Sequence, residues 1–388
     1  MKIDYYLLAV STLLLSCSKG YEEMDPVAYQ IIENPSEVTV EQIADIPYMF
    51  AHDGLLIPGS IDSSDDVIVL GFCGDSTTAG ISAYDWEGKL LWSTEYGTYG
   101  YASAVCVDGN RVLFSVTDEI PVLDSATGEM IETISAEGLS DILVLPEAPD
   151  GQSMPDFRLA QGMEIQSEIM LWNKPECDLN FSYCGFLSDL HCSFQRYLRV
   201  TRIDGLWYIG MTEGHYERLS IYKVPDFQHS LRPKVFDIAL TDTSVVAILS
   251  FRDMVMEFAF DGRLIRTTYF GHELEGPISF TYDSFMGSTI FRYLIADIDT
   301  DDEGCIYLLY SGYGVGQNGN AEIWKVNTVS LTASMARLDH SAVAFTICGS
   351  RAAVVEQQHE PGEGDEIVLT GTPSIHVYQI EWEDSTSV

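Results

Sequence analysis

Basic side chains are scarce in this sequence. Lysine and arginine together number 20 against 59 aspartates and glutamates, for a formal net charge of −39. So acidic a chain repels DNA, RNA and anionic lipid headgroups, and nucleic-acid binding is excluded as a function class. Long apolar runs are scarce too: after the N-terminal stretch none reaches 18 residues, so nothing there has the length of a membrane-spanning helix. Helical periodicity is missing, since no long segment repeats apolar residues at i, i+3, i+4 and i+7 between caps. Signatures of nucleophilic or zinc-dependent catalysis are missing as well. There is no Gly-x-Ser-x-Gly and no His-Glu-x-x-His, and the 8 histidines are scattered. What is present is a 388-residue chain that is 46% apolar, with its acids distributed through apolar segments. That combination describes a folded, acid-coated globule rather than a disordered acidic tail.

The N-terminus reads MKIDYYLLAVSTLLLSC, with an apolar run from Tyr5 to Leu15 followed by Ser16-Cys17. The run is too short for a bilayer core of roughly 30 Å and has the form of a signal-peptide core. Leu14-Leu15-Ser16-Cys17 resembles a bacterial lipobox, although Asp4 departs from the usual cationic start. The resemblance implies a signal peptide over residues 1–16, a lipid on Cys17, and attachment to the membrane through that lipid alone. Residues 17–35 then form a tether. Its acidic SKGYEEMDP segment is similar to tethers of Bacteroidota lipoproteins, which implies an outer-membrane lipoprotein, periplasmic or surface-exposed.

Short alternating runs separated by tight-turn residues fill residues 36–388, which read as a single domain. Ala102–Val116, Tyr197–Met211 and Met256–Phe270 each read as a hairpin. Turns between paired strands fall near Ser64, Asp108, Asp204, Thr243, Glu303 and Gly349. A second set of hairpins occupies Ala83–Trp92, Pro121–Ile134 and Ile323–Met335. Four-stranded units recurring along a chain are the mark of an all-β fold of the β-propeller type. The spacing predicts seven blades, with six as the alternative. Ser36–Phe50 is either a lead-in or the strand that closes the ring with Ile375–Glu381. Cys177, Cys184 and Cys192 cluster in the worst-fitting segment, where one disulfide fits better than a metal. Cys73, Cys106, Cys305 and Cys348 read as small core residues.

The lipobox, the FAFDGRLIRTTYFG hairpin and above all the phrase GCIYLLYSGYG resemble the TolB-like propeller lipoproteins of Bacteroidota. That resemblance implies fold and location and assigns no chemistry.

Two motifs need weighing. Asp299, Asp301, Glu303, Gly304 and Ile306 match the start of a calcium loop, but its twelfth position is Tyr310, which is no bidentate ligand. Gly314, Gly316 and Gly319 match a dinucleotide fingerprint, but a strand pattern follows where a helix is required. Both read as turns, so no cofactor and no metal site is expected. The candidate ligand contacts are Tyr96, Tyr99 and Tyr101, set among glycines, with His215 and Tyr313. The function expected is recognition of a glycan, a peptide or an envelope protein. An envelope glycan hydrolase or lyase, and a structural subunit, are the alternatives. Whether the chain is an enzyme is left open, with binding favoured.

Overall fold

A computed structural model describes residues 29–47, 57–73, 79–96, 105–114, 119–135, 139–144, 157–160, 168–172, 196–203, 206–213, 217–218, 222–223, 235–241, 243–249, 253–259, 263–270, 295–301, 304–311, 313–314, 317–318, 320–356, 359–361, 367–369 and 374–382. Among the described residues there is no helix.

The chain begins with β1 (Tyr29–Ile32), β2 (Ser36–Glu37) and β3 (Val40–Pro47), each paired with sequence far downstream. Sheet I then comprises β4 (Ile57–Ser63), β5 (Ile68–Cys73), β6 (Ala79–Tyr84) and β7 (Leu90–Tyr96) in sequential antiparallel order. Sheet II repeats that order with β8 (Val105–Asp108), β9 (Arg111–Phe114), β10 (Glu119–Asp124) and β11 (Met130–Ser135). Sheet III holds β12 (Leu139–Val144), β13 (Phe157–Ala160), β14 (Glu168–Trp172), β15 (Arg196–Ile203), β16 (Leu206–Glu213), β17 (Glu217–Arg218) and β18 (Tyr222–Lys223). Sheet IV comprises β19 (Val235–Leu240), β20 (Ser244–Leu249), β21 (Met254–Ala259) and β22 (Leu264–Phe270), with β1 added in parallel to β22. Sheet V runs β23 (Ile295–Thr300) and β24 (Ile306–Tyr310), then an inserted hairpin of β25 (Tyr313–Gly314) and β26 (Gln317–Asn318). It continues through β27 (Glu322–Asn327) and β28 (Thr332–Arg337), with β2 added in parallel to β28. Sheet VI has β29 (Ala344–Cys348), β30 (Arg351–Glu356) and β33 (Ser374–Ile380), with the hairpin β31 (His359–Pro361) and β32 (Ile367–Leu369) inserted. Its outermost strand is β3, antiparallel to β33. Within Ser36–Phe50, Val40–Pro47 therefore takes the ring-closing alternative, while Ser36–Glu37 joins sheet V.

The first strands of the six sheets adjoin in a closed circuit, β4 to β8 to β12 to β19 to β23 to β29 and back to β4. Four-stranded sheets packed face to face around such a circuit are blades of a β-propeller. Sheet III instead has seven strands in mixed parallel and antiparallel pairing, and neither the count of seven blades nor that of six follows from it.

Face-to-face packing explains why some strands are apolar throughout. On β24, Ile306, Leu308 and Tyr310 pack with sheet IV, while Tyr307 and Leu309 pack with sheet VI. On β5, Ile68, Leu70 and Phe72 face sheet VI and Val69 faces sheet II. A strand buried on both faces loses the usual polar alternation, because each side chain has a neighbouring sheet to fill.

Antiparallel order also separates two kinds of connection. Hydrogen bonds between neighbouring first strands hold β19, β23, β29, β4 and β8 in one common direction. At one end, the turn end, short turns follow the first and third strands, as at 64–67, 85–89, 109–110, 125–129, 241–243 and 349–350. At the other, the loop end, β3, β7 and β22 end, β4, β8 and β23 begin, and the connection 338–343 lies. Both inserted hairpins also leave from the loop end.

Candidate functional site

Of the residues singled out from sequence, Cys17, Tyr99, Tyr101 and His215 lie outside the described residues, as do Cys177, Cys184 and Cys192. Tyr96 is the last residue of β7, at the loop end. Its half-buried ring lies 5.7 Å from that of Phe114 on sheet II, tilted by 41°. Burial pushes its phenol above the ordinary tyrosine range. Tyr313 pairs with Asn318 in the β25–β26 hairpin, also at the loop end. Topology thus brings Tyr96 and Tyr313 to one end of the fold.

The same end carries a group that no motif announced. Glu356 ends β30, Ser374 begins β33, and His376 follows two residues later on the same face of that strand. His340 reaches them from the connection between sheets V and VI. The two imidazoles stack with centroids 4.0 Å apart and planes 6° from parallel. Glu356 receives both: its Oε2 is 3.0 Å from His376 Nε2 and its Oε1 is 3.6 Å from His340 Nδ1. Ser374 Oγ is 3.0 Å from the same Nε2. On the far side of the ring, His376 Nδ1 lies 3.2 Å from Gln42 Nε2 and 3.6 Å from Asp45 Oδ1, both on β3. His376 is buried, Glu356 nearly so, and His340 is about one-third exposed. The phenol of Tyr378, next on that face, is raised by burial and then by the charges of Asp339, Glu356 and Asp45. This is not a hydrolytic triad, because serine and glutamate approach the same ring nitrogen. Ligand atoms of His340, Glu356 and His376 lie within 4.8 Å of one another, a set that could hold a metal ion.

A second cluster of carboxylates lines the innermost strands. Asp62 Oδ1 accepts from Ser63 N and its Oδ2 from Val107 N on sheet II, both at 2.7 Å. Asp297 accepts from Ile298 N at 2.9 Å and from Phe345 N on sheet VI at 3.0 Å. Asp299 accepts from Thr300 N at 2.7 Å and from Ile347 N on sheet VI at 3.1 Å. Burial holds the Asp62 carboxyl up to about 6, with Asp297 adding repulsion. Asp299 is raised well above the carboxylate range by burial and then by Asp62. Each oxygen already holds a backbone amide, so these acids staple one blade to the next.

The acidic stretch Asp299–Gly304 is explained by those bonds. Asp301 caps its own turn, accepting from Cys305 N at 2.8 Å and from the Tyr307 hydroxyl at 2.8 Å. Gly304 sits at φ +75°, the left-handed conformation that glycine takes without strain. The flanks are the strands β23 and β24, as the turn reading expects. The glycines from Gly314 onward lead into β27 and into no helix. Cys106 and Cys305 are buried thiols; Cys348 is half-buried, 3.2 Å from Asp65 Oδ1.

No family model matches the sequence, and no curated protein is significantly similar to it. Solved structures do align. BamB from Moraxella catarrhalis aligns over 89% of this chain and 99% of its own, with 11% identity and a TM-score of 0.27. BBS1N, solved in complex with ARL6DN, aligns over 88% and 97%, with 8% identity and a TM-score of 0.39. A protein of unknown function from Bacteroides caccae aligns over 76% and 84%, with 11% identity and a TM-score of 0.33. The architecture itself rests on the strand pairing and the closed circuit described above.

Proposed function

We propose that this chain is a lipid-anchored cell-envelope recognition protein of the TolB-like propeller kind, and that it binds its partner at the loop end. In this reading Cys17 carries the lipid and residues 17–35 lead away from the membrane, with Tyr29–Ile32 already paired to sheet IV. The partner is a glycan, a peptide or another envelope protein. The observation that carries the reading is topological. Both inserted hairpins, Tyr96 and Tyr313 leave the fold at one end, and β7 ends there just before the sequence segment that holds Tyr99 and Tyr101. Tyrosines on such connections offer broad amphipathic contact area at low entropic cost. The stapled carboxylates of Asp62, Asp297 and Asp299 have their oxygens committed to amides, which argues against a carboxylate pair free for glycosidic catalysis.

The test is a glycan and peptide binding screen on the full chain in detergent, with turnover assayed on every hit. Binding without turnover is the expected result. Turnover of a bound glycan would establish the enzyme alternative. Absence of any ligand, together with co-purification of envelope proteins, would establish the structural one. Cys17→Ala is expected to release the chain from the membrane, and unchanged retention and mass would refute the anchor.

A further inference from the structure

We propose that His340, Glu356 and His376 form a binding site for one divalent transition-metal ion of the Zn2+ class at the loop end. The inference stands apart from the identity of the proposed ligand.

Three observations carry it. First, the donor set is right: two imidazole nitrogens and one carboxylate converge within 4.8 Å. Imidazole with carboxylate suits Zn2+, Co2+ or Ni2+, whereas Ca2+ and Mg2+ require an all-oxygen shell. Second, Glu356 is a nearly buried carboxylate whose ion-pair partners, among the described residues, are the two imidazoles alone. Among the described residues no lysine or arginine balances it there; Asp45 stands 3.6 Å from the His376 ring, and Asp45 and Asp339 add negative charge at the neighbouring Tyr378. A buried carboxylate in such a field is stabilised by a cation. Third, the outer support of a metal-bound histidine is in place. If the ion takes His376 Nε2, the ring proton moves to Nδ1, where the Gln42 side-chain amide, 3.2 Å away, turns its oxygen to accept it and Asp45 Oδ1 stands at 3.6 Å. A carboxylate behind a ligating histidine fixes its tautomer and strengthens the metal bond.

The mechanics are specific. Zn–N and Zn–O bonds of about 2.0–2.2 Å need donors roughly 3.3 Å apart; Glu356 and His376 already stand at 3.0 Å, while the whole group spans up to 4.8 Å. Glu356 and His376 are held by paired neighbours of one sheet through the registers Glu356↔Ser374 and Val354↔His376. His340 lies on a connection and is partly exposed, so it is the ligand that moves. Its ring must leave the stacked geometry as it closes on the ion. A fourth position then faces solvent on the His340 side, open to water or to an anionic group of a ligand.

The probe is Zn2+ itself, titrated calorimetrically into the metal-free full chain, with Co2+ absorbance as the second readout. One equivalent is expected to bind, and Co2+ should give d–d bands without a thiolate charge-transfer band. H340A and E356Q should each weaken binding by about a hundredfold or more, and D45N by about tenfold. Far-UV circular dichroism on the metal-free variants should match the parent. Should H340A or E356Q fail to fold, D45N, at an exposed position, decides the matter alone. No bound Zn2+, a thiolate band, or unchanged affinity in the folded variants would overturn the site and leave the cluster as a hydrogen-bonded imidazole pair.

Discussion

The two ends of this propeller are built differently. At the turn end the connections are short and each is closed by named bonds. Asp124 Oδ1 accepts from Ala126 N and Thr127 N, Asp85 Oδ1 accepts from Lys89 N, and Asp301 closes the Gly304 turn. Tryptophans lock that end across strands and blades: Trp86 Nε1 donates to Ser64 O, and Trp92 of sheet I donates to Ser125 O of sheet II. At the loop end lie the inserted hairpins, Tyr96 at the end of β7, and the His340–Glu356–His376 group. The difference teaches a division of labour. Bonds that define the architecture are concentrated where the chain turns tightly, which leaves the other end free to vary without unfolding the blades.

That division predicts large losses of stability from the turn end and small ones from the loop end. The largest should come from Glu257, buried on β21 near the turn end. It is held by Arg266 Nε at 3.0 Å and accepts from Ser244 and from Thr328 of sheet V, each at 3.1 Å. Glu257→Ala leaves the half-buried Arg266 guanidinium and the Thr328 hydroxyl without their acceptor, and should cost about 3 kcal/mol in urea unfolding. A loss below about 1 kcal/mol would break the comparison at its strongest point. Next come two glycines. A Cβ at Gly128, φ +71°, would lie 2.6 Å from the Trp92 ring, while one at Gly304 would meet nothing within 4 Å. Gly304→Ala should cost only the left-handed strain, about 1–2 kcal/mol, and Gly128→Ala should cost clearly more. Equal losses in thermal unfolding would show that Trp92 is not the lock described.

The third prediction concerns pH. The Asp62 carboxyl is raised to about 6, so the folded chain keeps its proton where the unfolded chain has lost it. Its ionisation therefore costs stability, with the cost absent below about pH 4 and complete above about pH 6. Asp62→Asn, neutral throughout, should gain on the parent as pH rises from 4 to 7 in paired urea titrations. A pH-independent difference would contradict the burial argument. The smallest effects come from a tyrosine pair. Tyr307→Phe at the turn end removes the 2.8 Å bond to Asp301 and should cost about 1.5 kcal/mol. Tyr96→Phe at the loop end removes a hydroxyl with no hydrogen-bond partner among the described residues, and should change stability by less than about 0.5 kcal/mol. The reverse ranking would reverse the comparison.

The turn end was also the legible end. Turn positions near Ser64, Asp108, Asp204, Thr243, Glu303 and Gly349 all fall between paired strands, and so do the outer hairpins of Ala83–Trp92, Pro121–Ile134 and Ile323–Met335. The reason is local: an aspartate cap and a positive-φ glycine act within four or five residues, so their signal survives in one dimension. The loop end has no such grammar. His340, Glu356 and His376 come from a connection and two strands, and only folding brings them together. One trace was present in SIHVYQI, where a histidine occupies a face otherwise filled by Tyr378 and Ile380. The docking of Tyr29–Ile32 and Ser36–Glu37 onto sheets IV and V was equally hidden, because parallel addition at an outer edge has no hairpin turn to mark it.

The central claim, that recognition belongs to the loop end, is tested most directly by one affinity comparison. The strongest hit of the binding screen is titrated against a Tyr99→Ala/Tyr101→Ala chain and against a Lys89→Ala/Thr127→Ala chain altered only at exposed turn-end positions. The account predicts at least about tenfold weaker binding to the first and unchanged binding to the second. Loss of binding in the turn-end chain, with the tyrosine chain unaffected, would contradict it.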